Sequence, residues 1–432
     1  MSMNEQTTIP ISKVKRASKF VTAGVKVGGN YLKHYAKKAM NQPVSQEDLD
    51  EENASDIYEA LSELKGSALK AAQMLSMDQG VLPKAFADKF QMAQYSAPPL
   101  SYPLVVRTFQ KHLGQRPSEI FDSFSKNAVN AASIGQVHQA TIGDKKLAVK
   151  VQYPGVADSV QNDLRIAKPL AAKVMNVKLR DLEPYIEEVE SKLLEETDYE
   201  LELHKSQEIT ELCSSLGNII FPKYYPEFSS KRIITMDWID GIHLDEWLQS
   251  EPSQKERNLI GQSLWDFYDF QIHELKQVHA DPHPGNFLIT EDLKLAVIDF
   301  GCVKIIPEDF YEEYFRLIKA ETFIHEEKMI EVFDKLNFLM ESDSEELRSF
   351  YINIFKKAIE LLGRPFREKS FDFSNKEYFE EINEMMLGLA MNKEVRKTNC
   401  ARGSKHSIYV NRVYFGLYNI LHKLGAQIEI KS

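Results

Sequence analysis

Two short motifs that lie close together constrain this chain more than any other feature. The first is HADPHPGNFLI, residues 279–289, and the second is VIDFG, residues 297–301. Asp281 precedes Asn286 by five residues and Asp299 by eighteen. Carboxylate and amide oxygens are hard ligands of the kind that Mg²⁺ takes, and this spacing is typical of phosphoryl-transfer sites. The motifs therefore predict a magnesium-dependent nucleotide site.

The chemistry assigns a role to each of these residues. A transferring phosphoryl group needs an oriented nucleophile, and the carboxylate of Asp281 is predicted to orient it. Asn286 and Asp299 are predicted to hold Mg²⁺. A rival interpretation takes His279, Asp281 and His283 as ligands of a transition metal, but it leaves the VIDFG motif unexplained.

A β-rich region precedes these motifs. VHQATI and KLAVKVQ flank residues 143–144 and predict a hairpin, and RIITMDWI predicts a later strand. Lys150 ends LAVK and is predicted to contact the α- and β-phosphates of ATP or ADP. A lone strand lysine is more often solvated, and the order of the surrounding motifs is what favours the functional role. Met236, Asp237 and Trp238 are predicted to line the nucleotide.

The stretch before the hairpin is AASIGQVH, residues 131–138, which has a single glycine. A glycine-rich phosphate loop would have three. Each alanine methyl limits positive φ and keeps the backbone amides farther from the phosphates, so nucleotide affinity or selectivity should differ. The residues predicted to contact nucleotide here are Ala131, Ala132, Ser133, Ile134 and Gly135.

A long helical pattern covers residues 181–213 and contains EETDYELE. One glutamate in it should form an ion pair with Lys150. Glu202 is the first choice and Glu196 is the alternative. The other acids, including Asp198, are predicted to face Lys70 or the metal.

An earlier helix is predicted from residue 57. Lys70 and Gln73 lie on the side opposite its apolar stripe. The stripe consists of Ile57, Leu61, Leu64, Ala68, Ala72 and Leu75. The acidic residues 43–56 before it predict a linker that ends in a helix cap at Ser55 or Asp56.

Residues 1–46 carry eight Lys or Arg residues and one acid, Glu5, although the net charge of the chain is -11. They predict an amphipathic basic helix. Its predicted apolar face consists of Val14, Ala17, Val21, Val25, Leu32, Tyr35 and Ala39. Such a helix could lie on an anionic membrane surface, dock on its own protein body, or act as an organelle transit peptide.

The cysteines and the hydropathy indicate a compartment. Cys213, Cys302 and Cys400 form no CxxC pair, which is typical of a reducing environment. No stretch approaches the roughly 18 uncharged apolar residues of a membrane-spanning helix. We therefore expect a cytoplasmic protein, peripheral on the inner face of a membrane.

Six motifs in order, KAAQ, AASIGQVH, LAVK, EETDYELE, HADPHPGN and IDFG, resemble the UbiB-type, AarF-like atypical kinase-like family that supports ubiquinone biosynthesis. The resemblance covers roughly residues 55–432. It implies an α+β, bilobal protein-kinase-like fold with a small β-rich N-lobe, a helical C-lobe and an N-terminal helical extension that obstructs protein substrates. The family's KxGQ motif corresponds to Lys70–Gln73, with Ala72 in place of glycine, and its ExD motif corresponds to Glu196 and Asp198.

The expected organisation follows from the motif order. It consists of a basic arm at 1–46, a helical extension with KAAQ at 55–103, an N-lobe at 104–240 and a C-lobe at 241–432. The expected function is that of an Mg-ATP-binding ATPase which supports quinone or isoprenoid-lipid biosynthesis at a membrane surface. Its expected partners are nucleotide, anionic lipid and quinone-biosynthesis proteins, and no nucleic acid.

Two alternative functions stay open. The first is a small-molecule or lipid kinase of the aminoglycoside or choline kinase type, which uses a similar His-x-Asp, Asn and Asp set. The second is a non-enzymatic pseudokinase scaffold. Every expected metal and catalytic residue is present, which disfavours the scaffold.

Overall fold

A computed structural model describes residues 13–40, 45–64, 68–72, 85–86, 89, 100–131, 134–174, 179–392 and 402–430. Ala132, Ser133 and Gln73, three predicted site residues, lie outside these ranges. The chain divides into two compact units. The first consists of Met1–His204 and Lys223–Trp238, and the second of Lys205–Pro222 and Ile239–Ser432.

The described residues alternate between helices and short strands. The helices are α1 (Lys13–Ala39), α2 (Gln46–Leu64), α3 (Tyr102–Leu113), α4 (Pro117–Ile120), α5 (Val156–Val174), α6 (Leu179–Glu196), α7 (Tyr199–Leu212), α8 (Leu244–Gln249), α9 (Gln254–His273), α10 (Glu308–Arg316), α11 (Ala320–Ile324), α12 (Glu326–Lys335), α13 (Glu345–Leu362), α14 (Lys376–Met391) and α15 (Lys405–Leu424). The strands are β1 (Ser123–Phe124), β2 (Asn130–Ala131), β3 (Gly135–Ile142), β4 (Lys145–Gln152), β5 (Ile219–Ile220), β6 (Ile233–Asp237), β7 (Ile242–His243), β8 (Gln277–His279), β9 (Phe287–Ile289), β10 (Leu295–Val297), β11 (Val303–Ile305), β12 (Ser370–Asp372) and β13 (Gln427–Glu429).

The first unit is built around an antiparallel sheet of order β1-β3-β4-β6, with β2 also paired to β3. The predicted hairpin of β3 and β4 is confirmed, and Gly143 at its turn has φ 57°. Successive side chains of a strand point to opposite faces. Val149 and Val151 therefore pack with Phe109 of α3, whereas Ala148 and Lys150 lie on the other face.

Helix α1 packs on α2 and α5, so this basic helix docks on its own protein body. The face that docks is not the predicted apolar face. Phe20, Ala23 and Val27 are buried, whereas four predicted face residues are 61–74% exposed. These are Val21, Val25, Leu32 and Tyr35. Both faces of α1 carry apolar residues, and the hydrogen bonds from Asn30 to Asn53 (3.1 Å) and Asp56 (2.9 Å) select the docked one.

The predicted linker at 43–56 is also wrong over the described part of its length. Helix α2 already begins at Gln46, and Ser45 caps it by accepting a hydrogen bond from the Asp48 amide at 3.4 Å. Negative side chains are favourable near a helix N-terminus, so an acidic stretch starts a helix here. Asn53 and Ala54, within the expected linker, are each 1% exposed.

The helix predicted over 181–213 is two helices, because the chain breaks between α6 and α7. Asp198 causes the break: its carboxylate accepts a hydrogen bond from the Leu201 amide at 3.1 Å, as a helix N-cap does. Helix α7 therefore starts at Tyr199, with Tyr199 and Glu202 in its first turn.

The second unit has a large apolar core around α9, whose Trp265, Phe267 and Tyr268 are at most 1% exposed. Its short strands form a sheet of order β5-β10-β9-β7 and the pairs β11-β8 and β12-β13. The sequence predicted mainly helix here and did not predict these short strands. None of the described helices combines the length and apolar character that crossing a membrane requires.

Candidate functional site

In the first unit, Lys150 forms a buried ion pair with Glu202. The Lys150 Nζ donates to Glu202 Oε1 at 2.7 Å, and the side chains are 11% and 7% exposed. Strand β4 is central in the sheet, which holds the lysine backbone between two neighbouring strands. The structure thus pairs Lys150 with Glu202, the first-choice glutamate, whereas Glu196 has a different partner.

Glu196 pairs instead with Lys70, at 3.2 Å, with 17% and 14% of the side chains exposed. The lysine of KAAQ and the first acid of EETDYELE therefore face each other, as predicted for one of these acids. Ala72, which stands where the family has glycine, is 9% exposed and packs in the cluster with Phe20 and Val27 of α1. Asp198 caps α7 rather than meeting Lys70.

Gly135 ends the alanine-rich loop and starts β3. Its φ is not positive, so the backbone conformation does not require glycine. Glycine is required here because a side chain would not fit. A Cβ atom would lie 2.7 Å from the Val151 carbonyl oxygen and 2.9 Å from the Tyr199 hydroxyl. Ile134 is 3% exposed and packs in the apolar cluster that contains Ala148 and Tyr199. Ala131 ends β2.

Three residues predicted to line the nucleotide lie at the end of β6. Met236 is 9% exposed and packs with Ala148. The Asp237 carboxylate accepts hydrogen bonds from the Tyr225 hydroxyl at 2.8 Å and from a backbone amide. The Trp238 amide donates to the Lys146 carbonyl at 3.0 Å. Asp237 therefore has structural partners in the segment before β6.

In the second unit, two strand pairs bring the motif residues together. In the β9–β10 pair Val297 lies opposite Phe287, and the Ile298 amide donates to the Asn286 carbonyl at 3.0 Å. Asn286 directly precedes β9 and Asp299 follows β10, so the antiparallel pairing places both residues at the same end of the pair. In the β8–β11 pair the Ala280 amide donates to the Cys302 carbonyl at 2.7 Å, which brings the residues before Asp281 beside those after Asp299.

The donor set of this cluster fits magnesium. The Asn286 side-chain nitrogen donates to the Asp281 backbone oxygen at 2.9 Å and approaches its carboxylate at 3.3 Å. The amide oxygen of Asn286 is thereby directed away from Asp281. Asp299 is oriented by the Gly301 amide, which donates to its Oδ1 at 2.8 Å. An amide oxygen and an oriented carboxylate are ligands that Mg²⁺ accepts.

His279 is a core residue. It is 1% exposed, its ring centroid is 5.7 Å from that of Phe300, and its amide donates to the buried Gln271 side chain at 2.9 Å. Burial lowers the pKa of His279, although the carboxylates of Asp281 and Asp299 oppose the shift. Among the described residues, no group of three or more His, Cys, Asp or Glu side chains could hold a metal ion.

Sequence reasoning missed a contact from the C-terminal helix α15. Arg412 lies 3.6 Å from the Asp281 carboxylate, and both side chains are less than one-third exposed. One helical turn later, a Cβ at Gly416 would be 2.3 Å from the Pro282 side chain. The glycine thus allows α15 to press against the loop. No local pattern could have indicated a contact between residues so far apart in sequence.

A half-buried histidine, His273, ends α9. Its ring accepts from or donates to the hydroxyls of Tyr311 (2.8 Å) and Tyr414 (3.2 Å), and it lies 3.7 Å from Asp269. Burial, with a smaller contribution from the Lys276 charge, lowers the pKa of His273 to about 4. This histidine is therefore neutral in the folded protein at physiological pH.

A strand lysine paired with a helix glutamate, followed by the Asp, Asn and Asp cluster, defines a protein of the kinase-like class. Comparison with known families gives the group within that class. Residues 92–333, more than half of the chain, match the ABC1 atypical kinase-like domain. The chain belongs to this UbiB-type family, which confirms the resemblance seen in its motifs.

Curated relatives cover nearly the whole chain. It is similar to the probable serine/threonine-protein kinase abkA of Dictyostelium discoideum, with 26% identity over 98% of this chain and 78% of that protein. It is also similar to the mitochondrial atypical kinase COQ8 of Saccharomyces cerevisiae, with 26% identity over 98% of this chain and 84% of the relative.

A solved structure supports the fold. The structure of Rv3197 with erythromycin, from Mycobacterium tuberculosis, has a TM-score of 0.61 and 24% identity, and covers 88% of this chain and 94% of that chain. The expected α+β, kinase-like fold is confirmed.

Proposed function

We propose that this protein binds Mg-ATP and turns it over as an atypical kinase-like ATPase. The observation that carries the proposal is the Lys150–Glu202 ion pair, with its 2.7 Å contact and nearly buried side chains. Taking two charges out of water gains little stability on balance, so such a pair is weak evidence for a structural role. In kinases the corresponding lysine contacts the α- and β-phosphates and the glutamate positions it.

The motif residues of the second unit supply the other roles. Asn286 and Asp299 would hold magnesium, which when bound would neutralise charge on the phosphate oxygens. Asp281 would orient the nucleophile. Arg412 and Asn286 restrict the movement of the Asp281 side chain, because both lie within 3.6 Å of its carboxylate oxygens.

The connection after Asp299 supports a small acceptor. From Gly301 the chain enters β11 and then α10, which begins at Glu308. This short connection leaves little chain for a peptide-binding segment of the kind that protein kinases have. We therefore propose that the phosphoryl group of ATP passes to water.

The exposed side of α1 supports a membrane-surface location. Val21, Val25 and Leu32 are 64%, 70% and 74% exposed, and the exposed Lys33 and Lys37 follow them along the same helix. Apolar side chains with interleaved lysines bind the interface of anionic bilayers. We propose that the protein lies on the inner face of a membrane and there supports quinone or isoprenoid-lipid biosynthesis together with proteins of that pathway.

Tracing the γ-phosphate of radiolabelled ATP tests this proposal. The protein is incubated with labelled ATP, magnesium and vesicles that contain anionic lipid, and label is measured in inorganic phosphate, lipid and protein. We expect label in inorganic phosphate, and much less with Asp299→Asn. Label in lipid would favour the lipid-kinase alternative, and no transfer at all would favour the pseudokinase scaffold; either result contradicts the ATPase proposal.

A further inference from the structure

We propose that Tyr199 is a positioning residue for Lys150, packed against Gly135 at the end of the alanine-rich loop. The inference rests on the proposed nucleotide function, because it concerns how Lys150 is presented to phosphate groups.

Helix geometry places Tyr199 and Glu202 on one face of α7, since residues three apart are neighbours on a helix surface. Lys150 meets both. Its Nζ lies 2.7 Å from Glu202 Oε1 and 5.2 Å from the centroid of the Tyr199 ring. A cation within about 6 Å of an aromatic centroid is attracted to the ring face. The ammonium group thus has a charged contact and a π contact from the same helical turn.

The other end of the Tyr199 side chain reaches the loop. Its hydroxyl oxygen lies 2.9 Å from where a Cβ atom of Gly135 would be. Gly135 pairs with Gln152 at the start of the β3–β4 ladder, so β4 holds the backbone there. Tyr199 is 0% exposed and has little room to move. One rigid side chain therefore links the lysine to the residue at which the loop ends.

A purely structural role is the competing explanation, because Tyr199 is also part of an apolar cluster. Tyr153 is a matched control: it belongs to the same cluster and is 1% exposed. Within the described part of the first unit, the tyrosine ring placed over the Lys150 ammonium is that of Tyr199. Loss of Tyr153 should disturb packing without moving the lysine.

The ligand series separates the two explanations. Mg-ATP and Mg-ADP carry phosphates for Lys150 to contact, whereas adenosine carries none. Isothermal titration calorimetry would compare the wild type with Tyr199→Leu, Tyr199→Phe and Tyr153→Leu. Tyr199→Leu should weaken ATP and ADP binding by about 3- to 30-fold, the loss expected for a cation–π contact, and adenosine binding by less than about twofold. Tyr199→Phe keeps the ring and should stay within about twofold for every ligand.

Chemical acylation supplies a readout that does not depend on nucleotide. The wild type and variants are treated with an acetylating reagent, and modification of Lys150 is measured by peptide mass spectrometry. Tyr199→Leu should raise the rate at which Lys150 is acetylated, whereas Tyr199→Phe and Tyr153→Leu should leave that rate unchanged. Tyr199→Met, which keeps an apolar side chain but has no ring, replaces Tyr199→Leu if the latter does not fold.

Two results would overturn the inference. The first is equal weakening of ATP and adenosine binding in Tyr199→Leu. The second is an unchanged acylation rate at Lys150 in that variant. A wild type that binds neither ATP nor ADP would overturn the proposed function, and the acylation rates would still decide whether Tyr199 holds the lysine.

Discussion

Gly135→Ala should destabilise the first unit, because the structure has no space for a methyl group at this position. The added Cβ would lie 2.7 Å from the Val151 carbonyl oxygen and 2.9 Å from the Tyr199 hydroxyl. The carbonyl belongs to the β3–β4 ladder and the tyrosine is fully buried, so neither can yield easily. Overpacking of this kind costs about 1–3 kcal/mol.

Thermal unfolding followed by circular dichroism measures this loss. For a unit of about 200 residues, 1–3 kcal/mol corresponds to a melting temperature lowered by roughly 3–10 °C. Gly217→Ala is the control, because no atom lies within 4 Å of its added Cβ and its φ is not positive. That variant should be unchanged or stabilised by up to about 1 kcal/mol.

A double variant locates the source of the strain. Tyr199→Phe removes one of the two close contacts, so Gly135→Ala with Tyr199→Phe should recover part of the lost stability. The Val151 contact remains, and recovery should be incomplete. A Gly135→Ala protein that melts with the wild type would show that the loop entry is not as tightly packed as the structure indicates.

Three further predictions follow from other contacts. Val25→Ser with Leu32→Ser should lower co-sedimentation with anionic vesicles without changing the melting temperature, and unchanged sedimentation would exclude this face. On folding, the pKa of His273 falls from an ordinary value near 6.5 to about 4. Because the unfolded chain therefore takes up a proton first, the free energy of unfolding measured in denaturant titrations should fall by about 2 kcal/mol between pH 7 and pH 5. His273→Gln should flatten this loss, and an equally steep loss would contradict the assignment. Arg412→Gln should lower ATP turnover by about 10- to 100-fold through misplacement of Asp281 while nucleotide affinity changes little. Weaker binding with normal turnover would contradict that role.

Local patterns were sufficient for the parts of the site that lie in one stretch of chain. The β3–β4 hairpin was predictable because two segments rich in β-branched residues flank a glycine turn. The two motifs that contain Asn286 and Asp299 were recognisable from their spacing, although the short strands beside them were not predicted. The pairing of Lys150 with Glu202 was predictable in kind, since a buried strand lysine needs an anionic partner.

Contacts between distant segments were not predictable in this way. Helix α1 has apolar residues on two faces, and its packed face depends on where Asn30 finds partners in α2. The break before α7 depends on a side-chain cap by Asp198, which competes with a continuous helical pattern. The approach of Arg412 to Asp281 depends on the packing of α15, 131 residues farther along the chain.

The central claim is that this protein binds Mg-ATP and that Asp299 holds the metal, and ligand-induced stabilisation tests it most directly. A ligand at 100 times its dissociation constant stabilises the folded state by roughly 2.7 kcal/mol. Millimolar Mg-ATP should therefore raise the melting temperature of the wild type by about 5–10 °C. Asp299→Asn keeps the shape of the side chain but loses the charge that would hold the metal, and it should abolish most of that rise when each variant is compared with its own nucleotide-free midpoint. No rise in the wild type, or an equal rise in both proteins, would contradict the account.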